Sequence, residues 1–321
     1  MFKSKTKYSW EGWESSGKEA WVFGVEHPRD LMGAHAKLID KELNESEKIG
    51  HCIYAPCVSS TVTPFGLKSE KYSWGVCVTD KRFIISQNRH VKGIEPGVVS
   101  IPFQDILYCN IGSALLLSWF SITYIQDGEI EKLNILFSSN GKHHFAKAVR
   151  AYKKYCCPLD TDNSVLGTFT PGTFIHKVTD FIHRNYLKTL MSSGEQCILT
   201  FSCQYIGEKS VGRKSLFGKR QSVYLSGKAT VLFTDKSLLI ARNSLDFSIG
   251  NSMDIQFIAL ERVKSIFVQE ENVDNQMIRK LRVSFISNNT LDIPLFSIDE
   301  KIGILLKNIN GILETTKKGR Y

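Results

Sequence analysis

The chain contains the same short segment twice: an apolar run, the tripeptide Thr-Asp-Lys, and a second apolar run. The first copy is Gly75–Ile85 and the second is Ala229–Ile240. In each copy the two strand-like runs are so close in sequence that the chain must reverse in a tight turn. Repetition of a whole supersecondary unit favours two divergent copies of one small β-rich domain over a single large fold.

Flanking segments recur in the same order and support the duplication. Ile101–Ile106 resembles Ile258–Val263, and Phe137–Asn140 resembles Phe285–Asn288. Aspartate at the start of a turn can accept a backbone hydrogen bond and so close the turn. We therefore interpret Asp80 and Asp235 as structural residues rather than catalytic ones.

Length and composition are those of an ordinary globular protein of about two domains: 321 residues, 42% hydrophobic and 23% charged. The longest apolar stretch, residues 114–120, is far shorter than the roughly 20 residues that a membrane-spanning helix needs. The first residues lack the apolar core of a signal peptide. These features predict a cytoplasmic protein, with peripheral attachment to a membrane as a further expectation.

Eight cysteines are present, and no two of them have Cys-x-x-Cys spacing. Zinc sites are usually built from such tight pairs on turns, and disulfides are rare in the cytoplasm. The pattern therefore predicts reduced, buried or half-buried thiols, with no metal and no cofactor. The positions are 52, 57, 77, 109, 156, 157, 197 and 203.

Changes in composition divide the chain into five segments. Each proposed domain is preceded by a segment with helical periodicity and ends in another one. The stretch from Pro158 to Pro171 is rich in Asp, Thr, Asn, Ser and Gly and is typical of a linker. The predicted segments are a Trp-rich leader and helix (1–44), domain 1 (45–157), a linker and helix (158–192), domain 2 (193–315) and a basic tail (316–321).

The order of motifs resembles the bacterial pleckstrin-homology-like (PH-like) domains, which are related to GRAM domains, present here in tandem. Each copy has a glutamate near its first strand (Glu47 and Glu195), the Thr-Asp-Lys hairpin, and an apolar segment such as Ile101–Ile106. A final amphipathic helix follows, with Phe145, Ala148, Val149 and Tyr152 on one face in the first copy. The resemblance implies a mainly β fold with helices, in which each unit is a bent, nearly closed antiparallel barrel closed at one end by its C-terminal helix. Helices in front of both units, and residues 259–262 in the second, depart from the family pattern.

In PH-like folds the loop between the first two strands commonly gathers cations that bind anionic lipid head groups. In the second copy this loop is Gly207–Arg220, where Glu208 is the one acidic residue. Its two apolar residues, Leu216 and Phe217, are expected to enter a lipid interface. The corresponding stretch in the first copy, residues 63–71, has two lysines and one glutamate and is expected to bind anions less well. The predicted anion-binding residues are Lys209, Arg213, Lys214, Lys219 and Arg220.

Three classes of function were compared. The net charge of +9 and the clustered cations predict an adaptor whose second unit contacts an anionic lipid or membrane surface. A protein partner, or less readily a nucleic acid, would use the same basic surface, and a solvated loop that only aids solubility is the structural alternative. The sequence lacks the common nucleophile, phosphate-loop and zinc-protease motifs, which predicts no catalytic residues. His176 and His183 are interpreted as ordinary surface or interface histidines.

Overall fold

The structure is a computed structural model, and it divides the chain into two compact units, residues 1–156 and 157–321. We refer to them as unit 1 and unit 2. The structure describes residues 21–56, 61–63, 66–68, 72–89, 97–114, 117–156, 178, 180–192, 195–211, 221–243, 252–273, 276–296 and parts of 302–314.

Unit 1 contains ten described strands and two α-helices. The helices are α1 (His35–Glu42) and α2 (Lys142–Cys156). A separate 3-10 turn at Pro28–Asp30 precedes α1. The strands are β1 (Phe23–Val25), β2 (Ile49–Ala55), β3 (Thr61–Thr63), β4 (Gly66–Lys68), β5 (Tyr72–Thr79), β6 (Arg82–Arg89), β7 (Gly97–Pro102), β8 (Ile106–Ala114), β9 (Leu117–Gln126) and β10 (Glu129–Ser138).

The strands of unit 1 form antiparallel sheets with short connections. One sheet has the order β1-β2-β5-β6-β7, β8-β9-β10 form a second antiparallel series, and β3 pairs with β4. A 3-10 turn at Phe103–Asp105 leads from β7 into β8. The strand β1 lies in the stretch interpreted as a leader, and it pairs with β2 from Phe23 opposite Tyr54 to Val25 opposite Cys52.

Aromatic side chains form the core of unit 1. Phe83 of β6 lies 6.1 Å from Phe120 of β9, measured between ring centroids, and 5.7 Å from Tyr152 of α2. Phe145 of α2 lies 4.0 Å from Phe137 of β10. These residues are 1% exposed or less, so both strand series contribute to one core that α2 covers. The predicted face of the closing helix is confirmed.

Unit 2 contains seven described strands and one helix with complete bounds, α3 (Phe181–Leu190). Asp180 caps α3, as its Oδ1 accepts hydrogen bonds from the backbone N–H groups of Ile182 and His183. The described positions between 302 and 314 are helical, in agreement with the predicted closing helix. The strands are β11 (Cys197–Val211), β12 (Gln221–Thr234), β13 (Ser237–Asn243), β14 (Met253–Ala259), β15 (Val263–Val273), β16 (Gln276–Phe285) and β17 (Thr290–Phe296).

The strands of unit 2 are antiparallel in the order β14-β13-β12-β11-β17-β16-β15. A 3-10 turn at Leu260–Arg262 leads from β14 into β15, as its counterpart does in unit 1. The closing helix is fixed to β15 by Asn310, whose Oδ1 accepts from the N–H of Ile266 at 2.8 Å and whose Nδ2 donates to the Ile266 carbonyl at 2.6 Å. Leu306, Ile309 and Leu313 are buried.

Among the described residues, the strand pairs do not close either unit into the expected nearly closed barrel. Among the described residues of unit 2, β14 and β15 do not pair with each other and remain the two ends of the strand order. In unit 1 the described pairs join β7 to β6 and β8 to β9 but do not join β7 to β8. The 3-10 turn between these strands explains the opening, because it redirects the chain instead of continuing a ladder. The fold is therefore mainly β, with open antiparallel sheets and a few helices.

Candidate functional site: the Thr-Asp-Lys turns, a basic hairpin and a cavity in unit 2

The turn of unit 1 is closed by its threonine. Thr79 Oγ1 accepts hydrogen bonds from the backbone N–H groups of Lys81 and Arg82, both at 3.1 Å. Asp80 accepts a backbone hydrogen bond as expected, but its Oδ1 takes it from the N–H of Lys48, at 3.0 Å, and not from within the turn. Asp80 therefore connects the turn to the segment that leads into β2.

Glu47 stabilises the same turn through an ion pair. Its carboxylate accepts from the guanidinium of Arg82, with a shortest distance of 2.6 Å, and from Asn44 Nδ2 at 2.8 Å. The Glu47 side chain is 1% exposed. Burial raises the pKa of Glu47, but hydrogen bonds from Arg82, Thr79 and Asn44 outweigh that effect, so the pKa lies below its ordinary value.

Unit 2 repeats this arrangement with one change. Thr234 Oγ1 accepts from the N–H groups of Lys236 and Ser237, and Asp235 Oδ1 accepts from the N–H of Gln196 at 2.9 Å. Glu195 accepts hydrogen bonds from the hydroxyl groups of Thr234 and Ser237. Ser237 thus occupies the place of Arg82, and neutral hydroxyl groups replace the guanidinium. Burial, aided by the nearby Glu195, raises the pKa of Asp235.

In each unit, the helix that precedes the repeated strands carries a buried histidine that contacts two neighbouring strands. His35 Nδ1 lies 2.8 Å from Ser86 Oγ on β6, and its Nε2 lies 2.9 Å from Ser73 Oγ on β5. His183 Nδ1 lies 2.8 Å from Thr230 Oγ1 on β12, and its side chain also hydrogen-bonds Asn243 on β13. Sequence reasoning placed His183 on a surface or interface, but it is buried between α3 and the sheet at 1% exposure. The available signal was its position on a helix that directly precedes a repeated unit.

Two other histidines of unit 1 each have one buried ring nitrogen that forms no hydrogen bond. His51 Nε2 and His144 Nδ1 are buried and have no partner, and the two rings stack with centroids 6.0 Å apart. A Cβ atom on Gly24 of β1 would lie 2.7 Å from His144 Nδ1, so the strand backbone presses against the rings. Burial, reinforced by nearby cationic residues, lowers the pKa of each histidine to about 4.

In sequence, the predicted anion-binding residues fall near the end of β11 and between β11 and β12. Lys209 lies within β11, paired with Val223, and so is not in the loop as the sequence suggested, because β11 continues to Val211. The last pair of the hairpin is Val211 opposite Gln221. The remaining predicted residues lie outside the described residues and stay predictions: Arg213, Lys214, Leu216, Phe217, Lys219 and Arg220.

The corresponding stretch of unit 1 has a different backbone. It contains the short hairpin of β3 and β4, with Thr63 opposite Gly66, before β5 begins at Tyr72. Unit 2 has one continuous two-stranded hairpin at this place. The two units therefore differ in strand pairing where the sequence predicted a difference in anion binding.

Arginines on the strands of unit 2 are engaged in ion pairs within that unit. Arg242 contacts Asp254 at 3.1 Å and Arg279 contacts Glu270 at 2.9 Å. Arg282 forms a two-pronged contact with Asp292, which lowers the pKa of that carboxyl group. These cations are already neutralised and are poor candidates for binding an external anion.

A cavity of about 510 Å³ lies within unit 2, between the start of α3 and the strands. It is lined by residues of α3, β11, β12, β13 and β14, among them Asp180, Ile182, Lys228 and Met253. The pair Gln204–Lys228, which reaches this cavity, is seven register steps from the pair Val211–Gln221 at the hairpin end. At about 3.3 Å per residue the cavity is therefore roughly 23 Å from the basic loop.

The described cysteines are not joined in disulfides, and most of them are buried, as expected. Burial raises the pKa of Cys197 and of Cys203 to about 12, and that of Cys109 is raised as well. Such thiols are poor nucleophiles. Among the residues that the structure describes, three or more His, Cys, Asp or Glu side chains do not come together in a way that would hold a metal ion. No helix within the described part of the chain is both long and apolar enough to cross a membrane.

The fold and one comparison define the class of unit 1. Residues 43–153 match the family described as a bacterial PH domain. This stretch contains β2 through β10 and most of α2. Over this stretch unit 1 is therefore similar to a bacterial PH domain. No curated protein matches the chain.

Proposed function

We propose that this protein is a non-enzymatic binding protein with two PH-like units, the second of which contacts an anionic membrane surface through its basic hairpin loop. The family match to unit 1 supports a binding module in general. The repeated turn supports the second unit: Glu195, Thr234 and Asp235 make the hydrogen bonds that Glu47, Thr79 and Asp80 make in unit 1. We place the two PH-like domains at residues 45–157 and 193–315.

The concentration of cations in one hairpin is the observation that carries the proposal. Residues 209–220 contain five cations and no acid, and they join two strands that pair without interruption from Leu199–Phe233 to Val211–Gln221. A long two-stranded hairpin can hold such a loop away from the sheet. Each cation held at an anionic surface contributes roughly 1 kcal/mol, and Leu216 and Phe217 would add apolar contact with lipid.

The test is binding of the full chain to vesicles of phosphatidylglycerol and phosphatidylcholine, followed by co-sedimentation. Replacing Arg213, Lys214, Lys219 and Arg220 with serine should weaken binding by up to about a thousandfold, since four contributions of about 1 kcal/mol are lost. Binding of the unchanged protein should also fall as salt is added.

The matched control is the double variant Lys68→Ser and Lys71→Ser in the corresponding stretch of unit 1. It should bind these vesicles nearly as well as the unchanged protein. Equal binding by the four-site variant and the unchanged protein would refute the role of the loop. The nucleic-acid alternative would be favoured by a different result. The unchanged protein would bind single- or double-stranded nucleic acid but not vesicles, and the four-site variant would lose the nucleic-acid binding.

A further inference from the structure

The cavity of unit 2 places two opposite charges on its wall without pairing them. Asp180 and Lys228 both line it. No ion pair between these two residues is formed, although ion pairs at 4.0 Å or less are formed by other charged residues of unit 2. Hydrogen bonds from the backbone N–H groups of His183 and Ile182, together with the nearby Lys228, lower the pKa of Asp180, although burial raises it. The two charged groups are therefore close enough for Lys228 to affect the pKa of Asp180, but they do not form an ion pair.

Each charge retains binding capacity. Asp180 uses Oδ1 to cap α3, and its Oδ2 accepts no hydrogen bond from the described residues. Lys228 is exposed and makes no ion pair with any described residue. A ligand with one ammonium group and one anionic group could satisfy both charges.

The remaining wall is partly apolar. Of its lining residues, Ile182 is 55% exposed and Met253 is buried at 5% exposure. Ile182 is a large apolar side chain left open to solvent beside a cavity, and a ligand with an apolar portion would cover it. The volume of about 510 Å³ falls within the range of about 300–1,000 Å³ that is usual for small-ligand sites.

Charge balance selects the class of ligand. One carboxylate and one ammonium group complement a neutral zwitterion, whereas a phosphomonoester carries a charge of about −1.5 to −2 and would leave negative charge unpaired beside Asp180. We propose that this cavity binds an amino-carboxylate with an apolar side chain, either a free α-amino acid or a dipeptide. The ligand's ammonium group would contact Asp180 Oδ2 and its carboxylate would contact Lys228.

This site is independent of the vesicle-binding loop, because the two lie about 23 Å apart along the hairpin. It is also specific to unit 2. The position equivalent to Lys228 in the repeated alignment is Ser73, which contacts His35 Nε2 in unit 1. The residue before α1 is Ala34, which provides no side-chain cap.

In the experiment, the full chain is titrated with L-leucine and with the dipeptide Leu-Leu. Binding is measured by saturation-transfer NMR and by calorimetry. Asp180→Asn keeps the helix cap, because asparagine caps as well as aspartate does, but it removes the negative charge. Asp180→Asn and Lys228→Gln should each weaken binding about tenfold or more, as expected for loss of a charged hydrogen bond. 4-Methylvalerate, which lacks the amine, and isopentylamine, which lacks the carboxylate, should bind weakly for the same reason.

Lys188→Gln on the exposed side of α3 is the matched control and should leave L-leucine binding unchanged. A thermal unfolding scan of each variant confirms that it is folded. Binding of neither zwitterion to the unchanged protein would overturn the proposal, as would equal affinity in the Lys228→Gln variant. The two proposals fail separately, because Asp180→Asn should leave vesicle binding unchanged and the four-site loop variant should leave L-leucine binding unchanged.

Discussion

The Thr-Asp-Lys turns of the two units have the same hydrogen bonds but different charges. In both, a threonine hydroxyl caps two backbone N–H groups, an aspartate reaches back to the first strand, and a buried glutamate supports the turn. In unit 1 the glutamate pairs with Arg82, whereas in unit 2 it accepts from Ser237. We call the hydrogen bonds that the two turns have in common the frame of the turn. This frame depends on the backbone and the threonine, whereas the cation Arg82 is replaceable.

The tryptophans allow this comparison to be tested one unit at a time. All five tryptophans lie in unit 1, at positions 10, 13, 21, 74 and 119. Tryptophan fluorescence therefore reports unfolding of unit 1, while far-UV circular dichroism reports both units.

Removal of the two glutamates should have unequal effects. Glu47→Ala leaves the guanidinium of Arg82, which is 19% exposed, without its carboxylate, and should lower the free energy of unfolding of unit 1 by about 3 kcal/mol. Glu195→Ala leaves neutral hydroxyl groups and should destabilise unit 2 by about 1–2 kcal/mol. Urea titrations followed by fluorescence and by circular dichroism measure the two effects. Equal losses in the two units would show that the ion pair adds nothing to the repeated frame.

Acid should destabilise unit 1 through His51 and His144. Their folded-state pKa values of about 4 lie below the ordinary value of 6.5, so the unfolded chain binds more protons between these pH values. The stabilisation is therefore complete above pH 6.5 and is lost as the pH falls towards 4. The groups that face the two rings are Lys147, Arg150 and His143.

The loss should reach about 2 kcal/mol for the pair, less than the full shifts imply, because His144 is partly open to solvent. Urea titrations followed by tryptophan fluorescence at pH 7, 5.5 and 4.5 measure it. The double variant His51→Gln and His144→Gln should have a flatter pH dependence over this interval. An unchanged slope in that variant would assign the acid sensitivity to other groups.

Replacing the turn threonine with valine should lower the free energy of unfolding by the same amount in both units. Thr79→Val and Thr234→Val remove the acceptor of two backbone N–H groups while keeping the shape of the side chain. Each should lower the free energy of unfolding of its own unit by about 1.5 kcal/mol. Thr79→Ser and Thr234→Ser retain the hydroxyl group and serve as controls. A loss of stability in one unit alone would show that the two turns are not equivalent.

The smallest effect is expected at an exposed ion pair of unit 2. Arg279 and Glu270 are 29% and 52% exposed at their side chains, so solvent screens their attraction. Glu270→Gln should change the free energy of unfolding by less than about 0.5 kcal/mol. Circular dichroism during urea titration measures it, and a loss above 1 kcal/mol would contradict the distinction drawn between exposed and buried pairs.

The sequence predicted those features that follow from local chemistry. The Thr-Asp-Lys hairpins and the buried face of α2 were recognisable because turn residues and helical spacing are local signals. The buried state of His183 was missed because its partner Thr230 lies on a strand, 47 residues away along the chain. The open sheets were missed for the same reason, since closure depends on which distant strands pair.

The candidate sites show the same division. The cations of the basic loop were evident from composition, but the length of β11, which places Lys209 in a strand, depends on pairing with β12. The cavity could not be predicted because Asp180, Lys228 and Met253 come together only through packing of α3 on the sheet. Asp180 read alone is an ordinary helix cap.

Amide hydrogen exchange, measured by NMR on the full chain, tests most directly whether the two units share one frame. The N–H groups of Lys81 and Arg82 and those of Lys236 and Ser237 should all be protected, because each donates to a threonine hydroxyl. In Thr234→Val only the second pair should lose protection. Protection of one pair, together with free-chain exchange of the other pair in the unchanged protein, would contradict a shared frame.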